Sequence, residues 1–309
     1  MSVRMTLTFA FLLTGFVSTN MGQEPPLVRI ETVQVTHPGN PPDVTGYGAV
    51  GCEYRLGKHE VSLSAYTAFL NAVAASDPYL LYNPAMGTDP TIVGIRRTGE
   101  SGSFAYEVIG DGDRPVSYVS WYDAARFCNW LHNGGHKGSD TEDGCYPLNG
   151  ARTGIIEKHP QATWWIPTEN EWYKAAYYQP ASEGGDTDGY WLFGTASNNP
   201  PGQEMGDQPN QANYWGNVTG AGMQTFENRN YLTVGGAFSG SSTFFGTYDQ
   251  TGNVWEWVDV VIENSRGLRG GGWNNPLSYQ PATFRHGPFG PGNELREVGF
   301  RLATRAEEK

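Results

Sequence analysis

DQTGNVWEW, residues 249–257, is the stretch on which the reading of the fold turns. Trp255 and Trp257 alternate with Glu256, the period-two pattern of a strand with one buried face. LRGGGW follows at 268–273. Gly270, Gly271 and Gly272 permit a close backbone approach or a sharp bend before Trp273. Pairing of this segment with residues 299–303, inside VGFRLA (298–303), would close the domain near its C-terminus. A phosphate loop is the competing reading of the glycines. No helical pattern and no Lys-Ser/Thr pair follows them, which argues against it.

Upstream, three amphipathic helices are predicted. In the first, from about Ser62 to Ala74, Tyr66, Phe69, Leu70 and Val73 recur at the spacing of one buried helical face. The second starts at Ser120 within RPVSYVSWYDAARFCNWL (114–131) and stops near Gly134. Ser120 with Asp123 is a weaker form of the capping box. Its stripe of Trp121, Ala124, Ala125, Cys128 and Leu131 makes Cys128 a core thiol. The third starts at Thr168 within IPTENEW (166–172), with Glu171 completing a capping box. Residues 163–166 read as a short strand ahead of it. Residues 180–246 are rich in Gly, Asn, Pro and Ser without strong periodicity, as in a functional or ion-stapled loop region. With no internal repeat and no linker, one domain over 23–309 is expected, its core at about 53–305.

Composition narrows the class. Of 309 residues, 38% are hydrophobic and 17% charged, which excludes charge-driven disorder. Forty-one glycines and ten tryptophans suit tight turns and short strands around large rings. A net charge of −12 with no Lys/Arg run excludes nucleic acid as a partner. Arg4 followed by the apolar stretch from Leu7 to Val17 reads as a signal peptide over 1–22, too short to span a bilayer. No other segment spans a membrane, so a secreted or periplasmic protein is expected. Three cysteines cannot all pair; Cys52 with Cys145 is the candidate bridge after export.

The motifs above, in this order and preceded by GKHEV at 57–61, resemble the formylglycine-generating enzyme, or sulfatase-modifying factor, family. The resemblance covers about residues 53–305. It implies an α+β fold, irregular and C-type-lectin-like, with little regular secondary structure.

The resemblance also implies calcium. Asp249, Gly252, Val254 and Glu256 match a family site built from two side chains and two backbone carbonyls. Calcium, a hard cation with flexible geometry, accepts such oxygen sets. The ion would be structural, stapling a loop region through binding linkage. Asn213 and the carbonyl of Tyr214 match part of a second site, with Asn230 as the nearest further ligand. The competing reading is that Asp249 and Glu256 cap turns or make surface hydrogen bonds.

Oxygen-dependent members of the family hold copper(I) on two cysteines shortly after the glycine segment and oxidise a substrate cysteine to formylglycine. Here Asn275 and Gln280 fall in register with those thiols. Amides are poor ligands for a soft ion, which argues against copper and against that reaction. A ligand pocket is expected instead around Trp273, Asn274, Asn275, Tyr279, Gln280 and Arg285, with Ser278 and His286 nearby. Arg with amides and an aromatic ring suits a peptide, carboxylate or sugar. Alternatively, Arg285 pairs with Glu294 or Glu297 and holds the C-terminal loop.

Other chemistry has weaker support. His132 and His136 have helical metal-pair spacing, but Gly134 and Gly135 between them break the helix. No G-x-S-x-G elbow is present. The sequon at 217–219 is a glycosylation acceptor only in a host that glycosylates. Three functions stand side by side: a module binding a peptide, protein or glycan; a divergent oxidase or maturation enzyme using the same pocket; and a structural exported domain.

Overall fold

A computed structural model describes residues 27–216 and 230–306. The expected signal peptide and the sequon at 217–219 lie outside the described residues. In chain order the strands are β1 (Thr32–Val35), β2 (Tyr54–Gly57), β3 (Ile95–Thr98), β4 (Ala105–Val108), β5 (Trp164–Trp165), β6 (Trp255–Ile262), β7 (Ser265–Arg269), β8 (His286–Phe289), β9 (Val298–Gly299) and β10 (Ala303–Arg305). The α-helices are α1 (Leu63–Val73), α2 (Ala85–Thr88), α3 (Trp121–His132) and α4 (Glu169–Tyr177). The architecture is α+β with short, irregular elements.

The three expected helices form where their caps place them. Ser62 Oγ accepts from the Ala65 N–H and starts α1. Ser120 with Asp123, and Thr168 with Glu171, make reciprocal capping boxes at α3 and α4. Each box satisfies two backbone donors that a helix start leaves open. All of α3 except His132 is buried. Phe127 meets Phe69 and Phe300 edge-on at 5.2 and 5.6 Å between ring centroids. Rings packed this way bury much of the apolar area that drives folding.

Two sheets complete the frame. One runs β1-β2-β10-β5, the other β8-β7-β6-β9, and β3 and β4 form a separate hairpin. The expected strand over 163–166 is the two-residue β5. The expected pairing of the glycine segment with residues 299–303 does not occur. Instead β7 and β9 flank β6 on opposite sides, β7 antiparallel and β9 parallel, while β10 joins β2 and β5. With neighbours on both edges, β6 is central, and Trp255, Glu256, Trp257 and Val258 are all buried. The strand therefore lacks the solvent face that its alternation suggests. Residues 180–246 contain only a 3₁₀ turn (Ala181–Glu183) and isolated bridges among the described residues.

The three thiols are free. Cys128 is buried, as its place in the α3 stripe requires. Cys145 is also buried and donates to the Cys128 carbonyl at 3.6 Å, whereas Cys52 is exposed. The Cys52–Cys145 bridge is thus absent: one partner lies in the core and the other on the surface.

Candidate functional site

Gly270 and Gly271 have φ of 104° and 79°, so the chain bends sharply after β7. A Cβ on Gly271 would lie 2.3 Å from Gln280 Oε1, which leaves room only for glycine. The bend buries Trp273, whose ring stacks on Tyr231 at 5.0 Å and 12°. Asn275 then ties the turn to the central strand. Its Oδ1 accepts from Trp255 Nε1 at 2.6 Å and from the Gly272 N–H at 3.1 Å, and its carbonyl accepts from the Trp215 N–H at 2.9 Å. Gln280 is fully buried beneath, donating to the Asn275 carbonyl at 3.5 Å. Tyr279 packs on Phe284 at 4.5 Å between centroids. Three buried polar atoms of this turn have no partner: Trp273 Nε1, Asn274 Oδ1 and Gln280 Oε1.

Trp273, Asn274, Asn275, Tyr279 and Gln280 therefore share one turn, but Arg285 turns away from them. Its Nε and Nη2 donate to Glu169 Oε1 and Oε2, both at 2.7 Å. Glu169 also receives Arg269 Nε at 2.8 Å, and both guanidiniums lie over the Tyr47 ring. The hydrogen bonds from Arg285 to Glu169 raise the arginine pKa further. Neither Glu294 nor Glu297 is its partner. Arg285 closes an ion-pair triad that holds the start of α4 against the C-terminal segment.

The two carboxylates matched to calcium are engaged by protein donors. Arg301 Nε and Nη2 donate to Glu256 Oε2 and Oε1 at 2.5 and 2.7 Å, and Trp172 Nε1 donates to Oε2 at 2.8 Å. The guanidinium neutralises this carboxylate and would repel a divalent cation beside it. Asp249 Oδ2 accepts the Gly236 N–H at 2.7 Å, and burial pushes the Asp249 carboxyl up to about 6. Gly252 serves packing: at φ 88°, its Cβ would sit 2.1 Å from the Asn213 carbonyl oxygen. In the second set, Gln203 donates to the Tyr214 carbonyl, and Asn213 Nδ2 donates to the Tyr231 carbonyl and Asn253 Oδ1. Asn230 spends its amide on the Val93 carbonyl and the Leu232 N–H. Among the described residues no group of three or more His, Cys, Asp or Glu side chains is placed to hold a metal ion. Both carboxylates of the first set and the amides of the second thus make protein hydrogen bonds.

The hub of this region is Asn253, a residue the sequence reading left aside. Buried, with φ 59°, it accepts from Asn213 Nδ2 and the Thr233 N–H and donates to Glu60 Oε1 at 3.1 Å. Only the αL backbone of an Asn in a turn signals such a role in sequence. Glu60 keeps Oε2 without a partner, and burial holds its carboxyl well above the usual range.

Among the described residues, hollows of about 330, 270 and 250 Å³ open on the surface. The first holds Arg29, Arg55, Trp164 and Arg305, the second His59, Glu60 and Asp113, and the third Asp43, Asp186 and Trp191. None of the three is lined by Trp273, Asn275, Gln280 or Arg285.

Residues 48–306 match the sulfatase-modifying factor enzyme 1-like domain. The chain is 27% identical over 201 residues to the inactive C-alpha-formylglycine-generating enzyme 2 of Mus musculus, covering 62% of this chain and 49% of that protein. It is 26% identical to the protein of the same name from Bos taurus over the same length, 50% of that protein. The chain thus spans about half the length of the curated relatives it matches. Among solved structures, that of CarF superposes with a TM-score of 0.54 at 19% identity, over 90% of this chain and 99% of the other. That likeness shows the shared fold.

Proposed function

The chain belongs to the sulfatase-modifying factor enzyme 1-like domain family, and from this premise we propose that it is an exported binding module that does not generate formylglycine with copper. The observation carrying this reading is the use made of Asn275. At the position where copper-holding relatives place a thiol, its amide oxygen accepts from Trp255 Nε1 and the Gly272 N–H, fixing the turn to β6. Gln280, at the other thiol position, is buried under the same turn. Neither side chain offers a soft ligand. The cysteines that do exist are elsewhere, two of them in the core. The mouse and bovine relatives are themselves named as inactive.

Export rests on Arg4 and the apolar run from Leu7 to Val17. A binding role is supported by the hollows on the domain surface, two of which combine charged groups with aromatic rings. The deciding experiment incubates the purified protein with copper, oxygen and a Cys-x-Pro-x-Arg peptide beside an active relative. The peptide mass is expected to stay unchanged with this protein and to change with the relative. Aldehyde product from this protein alone would overturn the reading.

A further inference from the structure

The outer face of the β1-β2-β10-β5 sheet gathers positive charge on an otherwise acidic chain. Register places Gln34 opposite Arg55, Arg55 opposite Thr304, and Thr304 opposite Trp164, so these four form one row across the face. The row borders the hollow of about 330 Å³, which Arg29, Thr32 and Arg305 also line. Two acids lie at its edge: Glu31 is taken by Lys58 at 2.9 Å, and Glu53 accepts from Gln34 Nε2 at 2.7 Å. Arg305 donates to the main-chain carbonyls of Ala162 and Pro160. Among the described residues no carboxylate lies within ion-pair distance of Arg29 or Arg305. Two guanidiniums with no carboxylate in ion-pair contact among the described residues, Arg29 feeling only the charge of Glu31 nearby, beside a half-exposed indole, are a receptor for an oxyanion attached to a flat ring or ring face.

The neighbouring hollow of about 270 Å³ shares the wall formed by residues 29–31 and adds Glu60, Ser62 and Asp113. Glu60 is only 6% exposed, and its Oε2 lacks a donor. A buried carboxyl oxygen without a partner is costly, and with burial keeping the Glu60 carboxyl protonated, its O–H would be satisfied by a ligand hydroxyl oxygen. One of the two adjoining hollows thus suits an oxyanion and the other suits a hydroxyl group. A bare anion satisfies only the first half, and a neutral sugar only the second.

We infer that the two hollows act as one groove and bind an acidic saccharide, its carboxylate or sulfate held by Arg29 and Arg305, a ring on Trp164 and a hydroxyl at Glu60. The inference rests on the binding reading above and names the ligand class and the site. The full exported chain is titrated calorimetrically with an oligogalacturonate, a sulfated tetrasaccharide, a neutral cello-oligosaccharide and inorganic sulfate. At least one acidic saccharide is expected to bind, at least about tenfold more tightly than either the neutral sugar or free sulfate, and more weakly as salt rises. The first two probes distinguish carboxylate from sulfate. The double variant Arg29→Ala/Arg305→Ala is expected to lose at least about tenfold in affinity with its circular dichroism unchanged. Trp164→Phe, which keeps a ring, is expected to retain more affinity than Trp164→Ala.

Binding of sulfate as tight as that of the saccharides, or an unchanged affinity in the folded double variant, would overturn the inference. If a glycan or peptide array retains both wild type and double variant equally, this groove is excluded while the binding role stands. If the array retains neither form and no probe binds, both readings fall.

Discussion

Arg301 and Glu256 face each other inside the domain, both fully buried and joined by two hydrogen bonds of 2.5 and 2.7 Å. Arg301 follows β9 and Glu256 belongs to β6, so the pair links the parallel edge of the central sheet to its middle. The same guanidinium also donates to the carbonyls of Gly57 and Tyr248. One side chain thus ties β2, the approach to β6 and the C-terminal segment together.

Breaking that pair from one side leaves a buried charge alone. Arg301→Met is expected to destabilise the protein by about 3–5 kcal/mol in urea denaturation. Arg301→Met with Glu256→Gln is expected to recover part of the loss, because no uncompensated charge remains. Additive losses in the double variant would show that the two residues act independently.

The same relationship bears on calcium. With Arg301 seated on Glu256, the melting temperature in millimolar calcium is expected to equal that in chelator. A ligand at a hundred times its dissociation constant would stabilise the native state by about 2.7 kcal/mol, an effect easily seen in a melt. A clear rise in calcium would mean that the guanidinium gives way to the ion.

Gly252→Ala tests whether that glycine is needed for close approach. The new Cβ would meet the Asn213 carbonyl oxygen at 2.1 Å, at a φ of 88° that L-residues avoid. A loss of more than about 1 kcal/mol is expected. A neutral result would show that the backbone of residues 213 and 252 can separate freely.

Thiol accessibility follows from burial. In the native protein one thiol, Cys52, is expected to react with an aromatic disulfide reagent, and all three after denaturation. Burial pushes the Cys145 thiol up to about 11 and raises Cys128 as well, so neither presents a thiolate. Zero reactive thiols in the native state would point to a bridge involving Cys52.

Asp123, the N3 residue of α3, supplies a pH dependence. Burial, reinforced by the nearby Glu294 charge, holds its carboxyl up at about 7 against roughly 3.9 in an unfolded chain. Between those values the native state binds the proton more strongly than the unfolded one. This group's contribution is therefore fully present below about pH 4 and lost as pH rises through about 7. Asp123→Asn keeps an oxygen for the Ser120 N–H and removes the titration. Its stability is expected to change less than wild type between pH 4 and 8; identical slopes would exclude Asp123 as the source.

The candidate site was only half legible beforehand. Asn275 and Gln280 stand out because two amides occupy thiol positions, and the structure places both in the glycine turn. Arg285 seemed to belong with them from its proximity in sequence, yet Glu169, more than a hundred residues earlier, captures it. Glu256 looked solvent-facing because a lone strand alternates. Pairing on both edges and packing on both faces removed that solvent.

By itself the sequence determined the three longer helices, their caps, the glycine bend and the absence of a thiol pair after it. Each of these is set by residues within a few positions of one another, through backbone sterics, helix periodicity or side-chain chemistry. Tertiary structure decided which strands flank β6, that Arg301 bonds Glu256, and that Arg29, Trp164 and Arg305 line one hollow. Those outcomes depend on contacts between segments mostly tens to hundreds of residues apart, from 45 for Arg301 and Glu256 to 276 for Arg29 and Arg305, where charge and shape are matched only once the chain has folded.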